Sequence, residues 1–239
     1  MCRRPFSIRS AYFCLFLLSV SLLAQTATSP APETLAPGFR APVHPITAEQ
    51  MHAYFSVCHI LGVSRGLTHE KMELQRKDLP AWYPSAVWDE IEDAIDKIDL
   101  PEVALPVYQK YMSEERGAFL IKLFSLPQGQ ETVKAMVDAM VRAQHSGATP
   151  AEAHKLALAY IAPEEHADVA RMVKKMTPAE RRDLEAHYSD LKRMQPLLAQ
   201  IQQEYSQAVM SRQTDLVKEI TDKRQAELRE AKRNYNASH

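Results

Sequence analysis

The chain has 239 residues, with 29 basic and 30 acidic side chains and a formal net charge of −1. That balance lacks the basic excess of a nucleic-acid binder, so no nucleic-acid partner is expected. Six glycines in the whole chain argue against glycine-rich phosphate loops and against a turn-rich β fold.

The first stretch reads as an export signal. Arg3, Arg4 and Arg9 form a basic start, followed by the apolar or small run Ala11 to Ala24. The run is shorter than the roughly 20 residues that cross a bilayer, and it fits the apolar core of a secretory signal. Residues 1–24 are therefore assigned to a signal cleaved near Ala24, with Ala27 as the second choice; an uncleaved membrane anchor is the alternative. Processing would remove Cys2 and Cys14 and leave Cys58 alone, so no intramolecular disulfide can form. It would also remove three of the 29 basic residues, taking the net charge from −1 to −4. The mature chain is expected to be periplasmic or secreted, with no membrane span.

Residues 25–46 are rich in proline and lack apolar periodicity, which predicts a flexible segment. A helical core is expected over 47–176. Thr47 and Gln50 have capping-box spacing, and Met51, Tyr54, Phe55, Cys58 and Leu61 follow at helical spacing. Gly62 to Gly66 is read as the end of this helix, with a weaker helix from about Thr68 to Lys77. Ser85 is positioned to cap the next helix, whose stripe is Trp88, Ile91, Ile95 and Ile98. Asp89, Glu92, Asp93 and Asp96 lie off that stripe and read as a solvated acidic face, with a divalent metal site as the alternative. Pro101 and Pro106 suggest short helical pieces carrying Val103, Val107 and Tyr111.

The stretch Tyr111–Met140 predicts two amphipathic helices joined at Pro127 and Gly129. Ser113 caps the first, with Phe119, Leu120, Leu123 and Phe124 on its apolar face. Pro127 opens the second, with Val133, Met136, Val137, Met140 and Val141 as its stripe. Gly129 permits close approach of the neighbouring helix, and the pair forms a central αα-hairpin. Ser113 to Gly129 resembles the core of a bacterial exported family described as domain of unknown function 2059. That core reads Ser-x-x-Glu-Leu, a few apolar residues, then Phe-Tyr-x-Ser/Thr-Pro-x-Gly. Ser113, Pro127 and Gly129 match, and Leu123 and Phe124 replace the aromatic pair. Arg116 and Gly117 depart from the Glu and Leu of the pattern, and Leu126 stands in place of its capping hydroxyl, so Ser125 or a shifted start must cap the second helix. The resemblance implies an all-helical exported protein and supplies no catalytic residues.

Beyond Gly147 the chain is rich in alanine and charge. Thr149-Pro-Ala-Glu152 and Thr177-Pro-Ala-Glu180 are helix starts, and Pro163 opens another helix ending near Met176. The 28-residue interval between the two starts is too short a series for a repeat array. Residues 177–239 read as a long C-terminal helical segment, kinked or divided at Pro196. Leu184, Leu191, Leu198 and Tyr205 fall seven apart, with Met194, Ile201 and Ala208 as partner row, a coiled-coil spacing that slips after Ala208 to Leu216, Ile220 and Leu228. That helix could pack on the core, pair with a second chain, or project freely.

No catalytic, cofactor-binding or metal-ligating residue is assigned. His52 and His59 are seven apart, without the i, i+3 or i+4 spacing of helical zinc ligands. Cys58 falls on an apolar stripe and reads as a buried thiol; metal, redox or intermolecular disulfide use is the alternative. His69-Glu70 lacks the second histidine of His-Glu-x-x-His. His154, His166 and His187 lie near glutamates on polar helices and read as surface residues, with a general-base role as the alternative. The pairs Met136/Met140 and Met172/Met176 read as core, with an adaptable binding surface as the alternative.

The fold expected is all-α: a multi-helix globular core with a central αα-hairpin, then a long kinked C-terminal helix. The expected function is non-enzymatic binding of an envelope protein or apolar peptide segment in a helical groove. A chaperone-like version fits the loose similarity of the Met176–Glu180 start and charged helix to small periplasmic helical chaperones. An enzyme with a site assembled from dispersed residues is the alternative.

Overall fold

The computed structural model describes residues 40–144, 173–194 and 197–238. The described part is all-α, with helices α1 Ala48–Val57, α2 Ile60–Lys77, α3 Ser85–Asp96, α4 Leu100–Gln109, α5 Glu114–Ser125, α6 Pro127–Gln144, α7 Pro178–Met194, α8 Leu198–Lys223 and α9 Gln225–Ser238. The helix starts at Thr149 and Pro163, together with His154, His166 and Met172, lie outside the described residues.

Capping chemistry sets several boundaries. Thr47 and Gln50 form a reciprocal capping box at the start of α1. Thr177 and Glu180 do the same for α7. The Ser113 hydroxyl accepts from the Arg116 N–H at the start of α5. These side chains satisfy backbone donors that helical geometry leaves unpaired.

Four local expectations are corrected. Gly62 and Gly66 do not end a helix: α2 runs through both, and each is exposed with open space where a Cβ would sit. The break falls at Cys58–His59, where His59 takes a left-handed conformation with φ 53°. An exposed glycine in a helix costs only about 1 kcal/mol, which packing of the remaining residues outweighs. Ser85 is the first residue of α3, whose N-cap position is Pro84. Pro106 lies inside α4, so Leu100–Gln109 is one helix. Ser125 does not cap α6, because its hydroxyl donates back to the Ile121 carbonyl; α6 begins directly at Pro127.

The hairpin packs as its sequence requires. Phe119, Leu120, Leu123, Phe124 and Val133 are buried. A Cβ on Gly129 would lie 2.2 Å from the Leu123 carbonyl oxygen and 2.9 Å from the Phe124 Cα, so the α5 backbone occupies the space a side chain would need. At Gly117 a Cβ would meet Ile46 Cδ1 at 2.9 Å. The missing side chain there is replaced by Ile46, which is fully buried. Residues just before α1 are fixed by backbone bonds from Ile46 N–H to the Met112 carbonyl and from Glu114 N–H to the His44 carbonyl.

Helices α7 and α8 belong to the same apolar core. Leu184, Leu197, Ile201, Tyr205, Val209 and Ile220 are buried in one cluster with Met51, Phe55, Ile91 and Tyr108. α8 packs along α4 and α3, while α1 packs on α4 and α5. The rings of Phe55, Tyr108 and Tyr205 meet edge to face, with centroids 6.0–6.4 Å apart. The seven-residue spacing seen in the sequence thus turns Ile201 and Tyr205 inward, onto the chain's own helices. α7 ends at Met194 and α8 starts at Leu198, on either side of Pro196.

Candidate binding groove

A cleft lies between α2, α3 and α8. It encloses about 500 Å³ and is lined by Met72, Gln75 and Leu79 of α2 and the turn after it, Trp88, Ile91 and Ile95 of α3, and Met210, Thr214 and Val217 of α8. A second cleft of about 220 Å³ adjoins it and shares Thr68, Met72, Ile95 and Gln213. The two form one groove. Its floor follows from helical periodicity: Trp88, Ile91 and Ile95 are the inward stripe of α3, and Met210 and Val217 lie seven apart on one side of α8. Trp88 is further held by its indole N–H, which donates to Glu92 at 2.6 Å.

Ion pairs between distant parts of the chain tie the helices together. Glu90 of α3 accepts from Lys223 at 2.9 Å and from Arg224 at 2.7 Å at the α8–α9 junction. Glu204 of α8 pairs with Lys110 at 2.7 Å and accepts the Tyr111 hydroxyl at the end of α4. Lys122 of α5 pairs with Asp183 of α7. Lys232 of α9 sits 5.5 Å from the Trp82 ring centroid, beside the α2–α3 turn.

These carboxylates make stability pH-dependent. Burial alone would raise the Glu204 carboxyl, but hydrogen bonds from Lys110 and Tyr111 outweigh it and hold the group below 4.5, the ordinary glutamate value. Hydrogen bonds from Lys223 and Arg224 lower Glu90, and the Lys122 bond lowers Asp183 below 3.8. A depressed carboxylate contributes stability that is fully present above the unfolded value and is lost as pH falls through the folded value. The thermal midpoint is therefore expected to hold from neutral pH to about 5 and to fall below about 4.5. Glu204→Gln should cost about 1–2 kcal/mol at neutral pH and make the acid-side fall shallower, which thermal unfolding at pH 7, 4.5 and 3 would show.

The residues weighed for metal chemistry go to separate partners. His52 Nε2 is 3.6 Å from Asp99, His59 Nε2 is 2.9 Å from the Gln130 side-chain oxygen, and His69 Nε2 is 3.5 Å from Glu73. Among the described residues no group of three or more His, Cys, Asp or Glu side chains is placed to hold a metal ion. Of the four carboxylates weighed on α3, Asp89 and Glu92 meet Arg76, Asp96 lies 3.8 Å from Arg65, and Asp93 lies 3.8 Å from Lys97. Cys58 is half-buried; burial pushes its thiol up to about 12, opposed by a Tyr54 hydrogen bond, so it stays protonated at neutral pH.

His187 stacks on Phe119 with centroids 4.1 Å apart, while its Nδ1 lies 2.9 Å from the Asp183 carbonyl oxygen. Glu115 and the Asp183 carboxylate are each 3.8 Å from a ring nitrogen. It is a packing residue at the α5–α7 contact.

No protein-family model, curated protein or solved structure matches the chain. Among the described residues no helix is long and apolar enough to cross a membrane.

The groove's methionines are Met72 and Met210, which the sequence reading did not single out. Of the methionines it did single out, Met176 is buried in the core. The available signal was the seven-residue spacing of Met210 and Val217 beside the inward Tyr205 and Val209, a second apolar row on an already amphipathic helix.

Proposed function

We propose that this protein is an exported, non-enzymatic helical binding factor that takes an apolar segment of another envelope protein into the α2–α3–α8 groove, as a chaperone or adaptor does. The observation that carries the proposal is the groove itself. Its floor joins buried Met72 and Ile91 to half-buried Met210 and Val217. Methionine is flexible and polarizable, so such a floor can fit guests of differing shape. Helix-in-groove recognition needs such an apolar track, with main-chain hydrogen bonds satisfied inside the guest.

Export is supported by the basic residues Arg3, Arg4 and Arg9 before the apolar run Ala11–Ala24. Kinship with the domain of unknown function 2059 is supported by the Ser113 cap and the close approach at Gly129, two of the three positions that match its pattern outright.

The test is a titration of the chain with an amphipathic helical peptide, followed by calorimetry and by tryptophan emission, since Trp88 lines the groove. Met210→Gln with Val217→Asn removes apolar surface without adding charge. Both positions are half-buried, so the fold should survive, with unchanged helical circular dichroism. The double variant is expected to bind about tenfold more weakly, or about 1.4 kcal/mol. Equal affinity for the two proteins would end the groove reading.

A further inference from the structure

Resting on the groove reading, we infer that the guest is a cationic amphipathic helical peptide segment, chosen by the acidic rim that α3 gives the groove. α3 carries five carboxylates and no basic residue: Asp89, Glu90, Glu92, Asp93 and Asp96. Glu90 is committed to Lys223 and Arg224, and Asp89 to Arg76. Glu92, Asp93 and Asp96 face the smaller cleft, and Asp78 the larger one. The cations lining the groove are Arg65 and Lys71. Glu92 also lies 3.5 Å from Arg76, so four carboxylates against two lining cations and Arg76 leave the rim net negative, with Asp93 and Asp96 its most exposed charges.

The rim is accessible. The Asp93 and Asp96 side chains are 79% and 71% exposed, and their nearest cations, Lys97 and Arg65, stand at 3.8 Å. Exposed pairs at that distance are weak, so a guest's lysines can replace them at little cost. The apolar floor and acidic rim therefore lie side by side, which is the complement of a helix with one apolar and one basic face. On α2 the lining runs from Arg65 through Thr68, Met72 and Gln75 towards Leu79, about 20 Å of helix at 1.5 Å per residue. That is room for about four turns of a guest helix. The same rim disfavours an anionic bilayer surface, which would meet like charge.

The experiment uses the full chain and three peptides that share one apolar face and carry Lys, Gln or Glu at every other position. Affinities are measured at low and high salt for the wild type, for Asp93→Asn/Asp96→Asn, and for Met210→Gln/Val217→Asn. The expected order is Lys over Gln over Glu, with about a tenfold span at low salt that narrows as salt rises. Asp93→Asn/Asp96→Asn should compress the span to within about threefold and leave the Gln peptide's affinity unchanged. Equal wild-type affinity for all three peptides, with all three weakened by Met210→Gln/Val217→Asn, would overturn the charge inference and leave the groove standing. A Lys peptide that binds Met210→Gln/Val217→Asn as well as wild type would overturn the groove reading itself. Phosphatidylglycerol vesicles form the remaining arm; binding to them that survives high salt and competes with the Lys peptide would replace the peptide by a membrane and overturn the inference.

Discussion

Replacing Tyr205 by alanine is expected to remove about 4 kcal/mol of stability, the cost of emptying a buried aromatic site. Tyr205 is 2% exposed and packs edge to face against Phe55 and Tyr108, so it joins α8 to α1 and α4 through one ring. The loss should be global, since α8 also builds one wall of the groove. Tyr205→Phe gives the internal control. Neither the Tyr205 nor the Tyr108 hydroxyl has a hydrogen-bond partner among the described residues. Removing a buried hydroxyl that makes no bond costs little, so Tyr205→Phe should change stability by less than about 0.5 kcal/mol or stabilise the chain. Denaturant unfolding of both variants decides the matter. A small loss for Tyr205→Ala would mean that α8 contributes little to the core.

Gly129→Ala is expected to cost about 3 kcal/mol, at the upper end of overpacking effects. The colliding atoms are the Leu123 carbonyl oxygen at 2.2 Å and the Phe124 Cα at 2.9 Å, both backbone. No rotamer change relieves such a contact, so α5 and α6 must separate. Their separation would uncover Phe124 and Val133, both buried in the hairpin. Gly62→Ala is the matched comparison. Gly62 also lies inside a helix, but nothing stands within 4 Å of its Cβ position. There alanine only gains helix propensity, and the chain should become more stable by about 1 kcal/mol. Thermal unfolding of the two variants should shift in opposite directions.

The same contrast shows which features were legible in the sequence. Capping boxes at Thr47 and Thr177, the Ser113 cap, and the stripes of α3 and α5 rest on residues three or four apart, so they could be read directly. The reading of Gly62 and Gly66 as a helix end failed because glycine composition says nothing of what surrounds it. The true break comes from His59, whose left-handed backbone is accompanied by a Gln130 bond 71 residues away. No local pattern marks it.

The place of α8 was hidden for a related reason. A row such as Ile201, Tyr205 and Val209 looks the same whether it meets a second chain or its own core. The choice is fixed by partners far off in sequence, as with Glu204 and Tyr111, 93 residues apart, or Glu90 and Arg224, 134 apart. The groove shares that origin. α2, α3 and α8 each carry an ordinary amphipathic pattern, and only their packing leaves Met72, Ile95 and Met210 around one space. The acidic residues of α3 were legible as an exposed face, but their position along an apolar track was not.

Amide hydrogen exchange of the full chain, with and without the lysine-bearing amphipathic peptide, tests the central claim most directly. A guest in the groove is expected to slow exchange in α2 from Arg65 to Lys77 and in α8 from Met210 to Val217, and to leave the α5–α6 hairpin unchanged. Slowing confined to the hairpin, or none at peptide saturation, would contradict the account.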